Sequence, residues 1–218
     1  MNFTPIDFND WNVREIFYYF SSIAPTGYSL TFEINVTKLK RAMEDKKLKF
    51  FPAYLYVVTK SLNKQIEFKI AKENGVLDYY DTLTPLYATF HDDDKTFSLM
   101  WCEYSDDFLT FYQSYITNKK KYGDVHGILC NGIPPKNAYT VSTIPWVEFN
   151  HFAVNSFENK EYYFPSVEAG KIVNRKGKLI MPLSMTCHHA TTDGYHIKCF
   201  IDTLNIEMDE LSKKIVGK

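Results

Sequence analysis

The sequence predicts an α+β fold: a mixed β-sheet with flanking helices. Three observations point there. Tyr28–Val36 alternates apolar and polar residues with strict period two, the mark of a strand with one buried face. Ile197, Phe200, Ile201, Leu204, Met208 and Leu211 form an apolar stripe at helical spacing near the C-terminus. Between them, strand-like and helix-like segments mix without the regular βα rhythm of a doubly wound sheet or a TIM barrel.

The elements follow in order. Asp10 can cap a first helix carrying Trp11, Arg14, Glu15, Phe17 and Phe20, and Pro25-Thr26-Gly27 ends it. The alternating strand comes next, then a short polar helix over Thr37–Asp45 and a mostly apolar one from Pro52 to about Lys64. Phe68–Ala71, Val76–Tyr80 and Pro85–His91 read as short strands. Asp92-Asp93-Asp94-Lys95 is a turn leading into Thr96–Glu103, hence a hairpin. Asp106 is placed to cap a helix whose apolar residues run from Phe108 to Ile116, with Gly123 stopping it. Asp124–Asn137 is loop-like, and Tyr139–Ile144 is a strand ended by Pro145-Trp146. Glu161–Val173 and Lys178–His188 flank a second hairpin signal, Asn174-Arg175-Lys176-Gly177.

The 218 residues carry no repeat, low-complexity tract or flexible linker, so one domain over 1–218 is expected. With 45% hydrophobic and 23% charged residues, the chain can bury a core. A formal net charge of −1 gives no electrostatic case for nucleic acid or a membrane surface. The longest strongly apolar run, Phe50–Val58, is about half what a bilayer span needs and contains Pro52. Met1–Asp10 has two acids and no basic region, unlike a signal peptide. Four cysteines without Cys-x-x-Cys spacing fit a reducing cytoplasm.

Chemistry concentrates in Thr186–His196, where three of the six histidines fall within nine residues as a strongly apolar strand gives way to the last helix. Asp193-Gly194 there suggests a tight turn. A histidine at a strand end suits a general base, since its ordinary pKa of about 6.5 lies near working pH. Paired histidines before a helix serve equally well as hydrogen-bonded structural residues. His189, Asp193 and His196 are candidate metal ligands, but the His-x-Glu, His-Glu-x-x-His and Cys/His spacings are missing and no metal is expected.

The segment His188-His189-Ala190-Thr191-Thr192-Asp193-Gly194-Tyr195-His196 resembles the signature of the chloramphenicol acetyltransferase family. Further segments match in order: Trp11 with Glu15-x-Phe17, Lys49–Ala53, Phe90-His91 with Thr96-Phe97-Ser98, Val141-Ser142-x-Ile144-Pro145-Trp146, and Pro182-Leu183. The resemblance implies a homotrimer with active sites at subunit interfaces, using acetyl-CoA as cosubstrate and a small hydroxyl-bearing acceptor. It implies His189 as general base, Ser142 as donor to the tetrahedral oxyanion, and Asp193 as support for the site. It places Lys171 near the CoA path. It maps acceptor-pocket positions onto Phe20, Thr26, Tyr28, Phe97, Leu129, Phe152, Val154 and Glu168. Taken alone, each of the first seven is by default a core residue, Glu168 a carboxylate that swings outward or pairs with a nearby Lys, and Ser142 a strand-end hydroxyl bonded to backbone.

Three departures bear on the acceptor. Val13 stands where relatives carry the arginine that pairs with the signature aspartate, with Arg14 next to it; Thr186-Cys187 replaces Gln-Val; and Glu168 aligns with an acceptor-site threonine. A carboxylate is costly to desolvate beside a neutral apolar acceptor and favourable beside an amine or cation. The default expectation is acetyl transfer to chloramphenicol. The alternatives are the same transfer to a different hydroxyl or amine, or a catalytically weak homologue that binds small molecules.

Overall fold

The computed structural model describes residues 3–6, 13–155 and 161–217, and the expected cap at Asp10 and the contribution of Trp11 lie outside them. Helix α1 (Arg14–Tyr18) continues as a π-helical turn, Tyr19–Ile23. Helix α2 (Thr37–Asp45) buries Leu39, Ala42 and Met43, a stripe at i, i+3 and i+4. Helix α3 (Phe50–Asn63) starts two residues before Pro52, which sits in the first turn, where its missing N–H costs nothing. Its Thr59 and Ser61 hydroxyls bond back to the Leu55 and Val57 carbonyls, both at 2.7 Å, so polar residues satisfy themselves inside a buried helix.

Strand β1 (Phe3–Pro5) pairs with β4 (Val76–Tyr80), which pairs with β3 (Ile70–Glu73), giving a small sheet in the order β1-β4-β3. The expected strand at Phe68–Ala71 begins later, because Ile66–Lys69 forms a 3₁₀ turn.

The large sheet runs β2-β10-β8-β7-β5-β6, with β9 also on β10. Its strands are β2 (Gly27–Asn35), β5 (Thr84–Phe90), β6 (Phe97–Trp101), β7 (Ala138–Thr143), β8 (Ser166–Ala169), β9 (Val173–Arg175) and β10 (Lys178–His188). The β5–β7 and β7–β8 pairs are parallel and the rest antiparallel, so the sheet is mixed as expected. The β9–β10 turn, Lys176-Gly177, has φ of +53° and +82°, the two positive values that a two-residue hairpin turn requires.

The long strand expected over Glu161–Val173 is instead split at Gly170. There the chain turns so that the Gly170 N–H reaches the Pro182 carbonyl (2.9 Å) and the Lys171 N–H reaches that of Val147 (2.8 Å). Helix α4 (Phe108–Tyr122) is capped by Asp107, not Asp106: Asp107 accepts from the Thr110 N–H at 2.9 Å, while Asp106 accepts from the Tyr104 hydroxyl. Helix α5 (Gly194–Val216) starts at Gly194, which adopts helical backbone, so Asp193-Gly194 is a helix start instead of a tight turn.

Helices α2, α3 and α5 pack together, α4 joins α3, and the core lies between this layer and one face of the large sheet, where Val141, Val167, Met185, Phe200 and Leu204 meet. No helix among the described residues is long and apolar enough to cross a membrane.

The other face of the sheet is polar. Register sets Thr31, Ser184, Glu168 and Ser142 in one row across β2, β10, β8 and β7, and Ser29, Thr186, Ser166 and Thr140 in the next. This face is not left to solvent. The irregular segment 149–155 crosses it, with the Phe152 N–H on Thr31 Oγ1 (3.3 Å) and the Val154 N–H on Thr186 Oγ1 (3.2 Å). The alternation in β2 is therefore only partly a matter of burial: Ser29 and Thr31 are half-covered, while Leu30 on the expected inner face is exposed because β2 is an edge strand.

Candidate active site

Two cavities open on the polar face. The first, about 540 Å³, holds Ser142 and Glu168, with Phe97, Phe152, Val154 and Trp146 among its walls. The second, about 620 Å³, holds Thr26, Tyr28, Ser166 and His188 and shares Thr140 and Val154 with the first. The 149–155 segment thus supplies a wall to both.

His189 follows the end of β10. Its backbone N–H bonds to the Thr26 carbonyl (2.8 Å), and its ring stacks on Phe20 at 4.1 Å between centroids, with Tyr28 edge-on at 5.1 Å. Nδ1 lies 3.1 Å from the Thr192 carbonyl oxygen. A carbonyl only accepts, so Nδ1 carries the proton and the neutral ring presents Nε2 as a lone pair. Phe20, Thr26 and Tyr28 are thus brought together around His189, and burial pushes the Tyr28 hydroxyl's pKa up, keeping it a neutral neighbour.

His188 has a different environment: its Nδ1 accepts the Ala190 N–H (3.1 Å), and its ring meets Tyr163 edge-on at 4.8 Å. Its main-chain carbonyl receives the Thr191 and Thr192 N–H groups, fixing the turn that carries the Thr192 carbonyl to His189.

Asp193 is the N-cap of α5. Its carboxylate accepts the Tyr195 N–H (2.8 Å) and the His196 N–H (3.2 Å), and its own N–H donates to His196 Nδ1 (3.1 Å). The side chain is 52% exposed. Partial burial works against its charge, but the His196 N–H, the His196 ring and the Tyr195 N–H outweigh it and hold the carboxyl below the usual range. Arg14 is exposed and makes no ion pair among the described residues, so the pairing considered from the sequence is replaced by a helix cap.

In the first cavity, Ser142 and Glu168 are register partners on adjacent parallel strands and share the polar face. The Ser142 hydroxyl makes no hydrogen bond to a described residue, leaving it available to a ligand. Glu168 is only 2% exposed. Ser166 donates to its Oε1, while its Oε2 is buried without a partner. Burial raises its pKa to about 7, against the smaller opposing effect of the Ser166 bond.

Leu129 stands apart on a bridge to Leu99, whose side chain is in the wall. Lys171 is exposed, held only through its backbone. Sequence reasoning missed Phe90, paired edge-on with Trp146 at 4.9 Å, and Lys119, whose ammonium reaches the wall from α4 and is held below its usual pKa by burial. It also missed the hydroxyl rows, for which the Thr-x-Ser and Ser-x-Thr spacings at Thr140–Ser142 and Ser184–Thr186 are the available signal.

The metal candidates His189, Asp193 and His196 are otherwise engaged, as above. Among the described residues, the one His/Cys/Asp/Glu group with ligand-like proximity is His91, Asp93 and His126. His91 bonds Ser98 at 2.7 Å, and its ring stacks on His126 at 4.1 Å and 19°. Rings stacked face to face hold their lone pairs in parallel planes and cannot both aim at one ion about 2.0–2.1 Å away.

Within one chain, His189 and Ser142 do not share a cavity: the first cavity's walls include Ser142 but not His189. The described residues thus offer a histidine with its tautomer set by a carbonyl, and, in a separate cavity, a hydroxyl beside a buried acid.

A family model described as chloramphenicol acetyltransferase matches residues 1–205. The chain is 36% identical over 213 residues to a chloramphenicol acetyltransferase of Clostridium butyricum, covering 97% of this chain and 95% of the relative. It is 35% identical over 205 residues to one of Staphylococcus aureus, covering 94% of each. A solved chloramphenicol acetyltransferase structure aligns with TM-score 0.83 and 25% identity over 95% of this chain and all of the other.

Proposed function

The chain belongs to the chloramphenicol acetyltransferase family, and from that premise we propose that it inactivates chloramphenicol by acetylating a hydroxyl with acetyl-CoA. His189 is the general base and Ser142 the oxyanion donor. The observation that carries this reading is the Nδ1 contact of His189 with the Thr192 carbonyl (3.1 Å), which leaves Nε2 basic.

His189 Nε2 takes the proton of the acceptor hydroxyl as that oxygen attacks the thioester carbonyl. Ser142 donates its hydroxyl hydrogen to the oxygen on which charge develops, an interaction strongest in the transition state. The imidazolium then returns its proton to the departing thiolate. The Thr192 carbonyl holds the ring orientation through both transfers, and Phe20 flattens it against an apolar surface. Asp193 supports the site indirectly: by starting α5 it anchors the turn from which Thr192 reaches His189.

The separation of His189 from the Ser142 cavity supports a homotrimer in which one subunit's His189 faces a neighbour's cavity. Exposed Phe97, Trp146 and Val154 on that cavity are suited to being covered in such an assembly. Exposed Lys171 is the proposed contact to CoA, a cation suited to phosphate. The four free thiols fit a single acetyltransferase domain over 1–218 working in the cytoplasm.

A thiol-release assay with acetyl-CoA and a panel of acceptors tests the reading. Turnover with chloramphenicol is expected, falling by about 10²–10⁴ in His189→Ala with the fold retained, and less in His188→Ala. Near-full activity of purified His189→Ala overturns the assignment of the base.

A further inference from the structure

The acceptor cavity contains a group that acetyl transfer itself does not use. Glu168 lies directly across the strand pair from Ser142, on the same face, so its carboxyl stands beside the place where the acceptor's reacting oxygen must come. Neighbouring strands are about 4.8 Å apart, so the carboxyl reaches atoms one or two bonds from that oxygen.

Oε1 is satisfied by Ser166, and Oε2 is buried in the cavity wall with no partner. Either protonation state leaves this atom wanting: as a carboxylate oxygen it lacks a donor, and as a hydroxyl it lacks an acceptor. Among the described residues of the chain, no cation makes up the charge. Lys119 is the one basic residue on the wall among the described residues, and it forms no ion pair with Glu168, whose ionisation is governed by burial and the Ser166 bond. Phe97, Phe152 and Trp146 line the same cavity, and aromatic rings can accept a cation over their faces.

Resting on the acetyl-transfer reading, we propose that Glu168 makes this cavity select an acceptor with a protonated amine beside its reacting hydroxyl, an amino alcohol. The ammonium supplies Oε2 with both its missing hydrogen bond and its missing countercharge. The hydroxyl beside the ammonium is then presented next to Ser142. Glu168 is a specificity determinant; it takes no part in the proton transfers.

The test compares a nitrophenyl amino-diol, the same molecule with its nitrogen acylated and neutral, and a triol with a hydroxyl in place of the amine. Binding is read from tryptophan emission, which Trp146 in the wall makes sensitive to occupancy, and transfer from thiol release. The wild type is expected to bind the amine at least about tenfold more tightly than the triol. Glu168→Gln and Glu168→Thr are each expected to shift the amine-to-acylated ratio of affinities about 10–100-fold toward the acylated compound. Equal binding of amine and triol by the wild type, or a ratio that moves less than about twofold in both variants, overturns the proposal. Because binding is measured without turnover, a shifted ratio in a protein that transfers no acetyl group refutes the acetyl-transfer reading and sustains the amine site.

Discussion

Replacing Glu168 by glutamine removes one ionisation and little else, so its effect on stability depends on pH in a way that can be worked out. The folded protein holds this carboxyl up at about 7 against an ordinary 4.5, because burial disfavours the charge more than the Ser166 hydroxyl favours it. A raised acid binds more protons folded than unfolded between those two values, so the wild type loses stability as pH climbs through that window. At about 1.36 kcal/mol per unit, ionisation costs the native state about 1 kcal/mol at pH 5 and about 3 kcal/mol at pH 8. Glu168→Gln does not carry that cost. Any packing change from the amide, whose nitrogen meets the same unpartnered wall as Oε2, is the same at both pH values and cancels in the difference. Tyr54 and Cys187 sense the Glu168 charge but are themselves pushed upward by burial, Cys187 to about 12, so neither titrates in the window. Lys119, on the same wall, is held below its usual pKa by burial, and the ionisation of Glu168 is governed by its own burial and the Ser166 bond.

The assay is thermal unfolding of both proteins at one protein concentration, at pH 5 and pH 8. The variant should gain about 2 kcal/mol on the wild type between the two conditions, roughly 4–8 °C of Tm for a chain of this length. Parallel pH dependences, or a variant that loses ground at pH 8, would refute the claim that Glu168 is buried without a countercharge.

Ser142→Ala should lower kcat by about 10²–10³ with a smaller change in KM, since in the proposed reaction its hydroxyl, which has no partner among the described residues, meets the developing charge; steady-state kinetics on both substrates checks this. Asp193→Ala should cost about 0.5–2 kcal/mol by urea titration, the value of a helix cap, and not the 3–5 kcal/mol of a broken buried ion pair. Because this carboxyl is held below its ordinary 3.8, its contribution is complete above that pH and lost as pH falls through its lowered value. Gly170→Ala places a Cβ 2.7 Å from Pro182 Cγ and 2.9 Å from a Phe149 ring carbon, so about 1–3 kcal/mol of overpacking is expected in the same titration.

How much of this was legible depended on whether a residue's role is local. The β9–β10 hairpin is readable because glycine suits the positive φ of Gly177 and Asn174 accepts the Gly177 N–H through its side chain. The α5 stripe is readable because a helix buries a fixed side. Asp193-Gly194 misleads because Asp-Gly suits both a turn and a helix start, and the choice is made by the Tyr195 and His196 N–H groups needing an acceptor. The long strand drawn through Gly170 fails because its break depends on Pro182 and Val147, remote in sequence. The sequence motifs fall on His189 and Ser142, yet that the cavity around Ser142 does not include His189 is invisible to any linear pattern.

The hydroxyl rows explain why an irregular segment can form the wall of a binding cavity. A stretch without regular structure has backbone groups that must find partners when covered. Over an apolar sheet face, 149–155 would strand them. Over Thr31, Ser184 and Thr186, the Phe152 N–H, the Phe152 carbonyl and the Val154 N–H are each met by a side-chain oxygen. The same alternation that sends Val141, Val167 and Met185 into the core sends Ser142, Glu168 and Ser166 toward the cavities. The sheet's period of two therefore builds the core and the cavity wall at once. A carboxylate on the polar face lines the cavity for the same reason that its neighbours on the strand, Val167 and Ala169, enter the core.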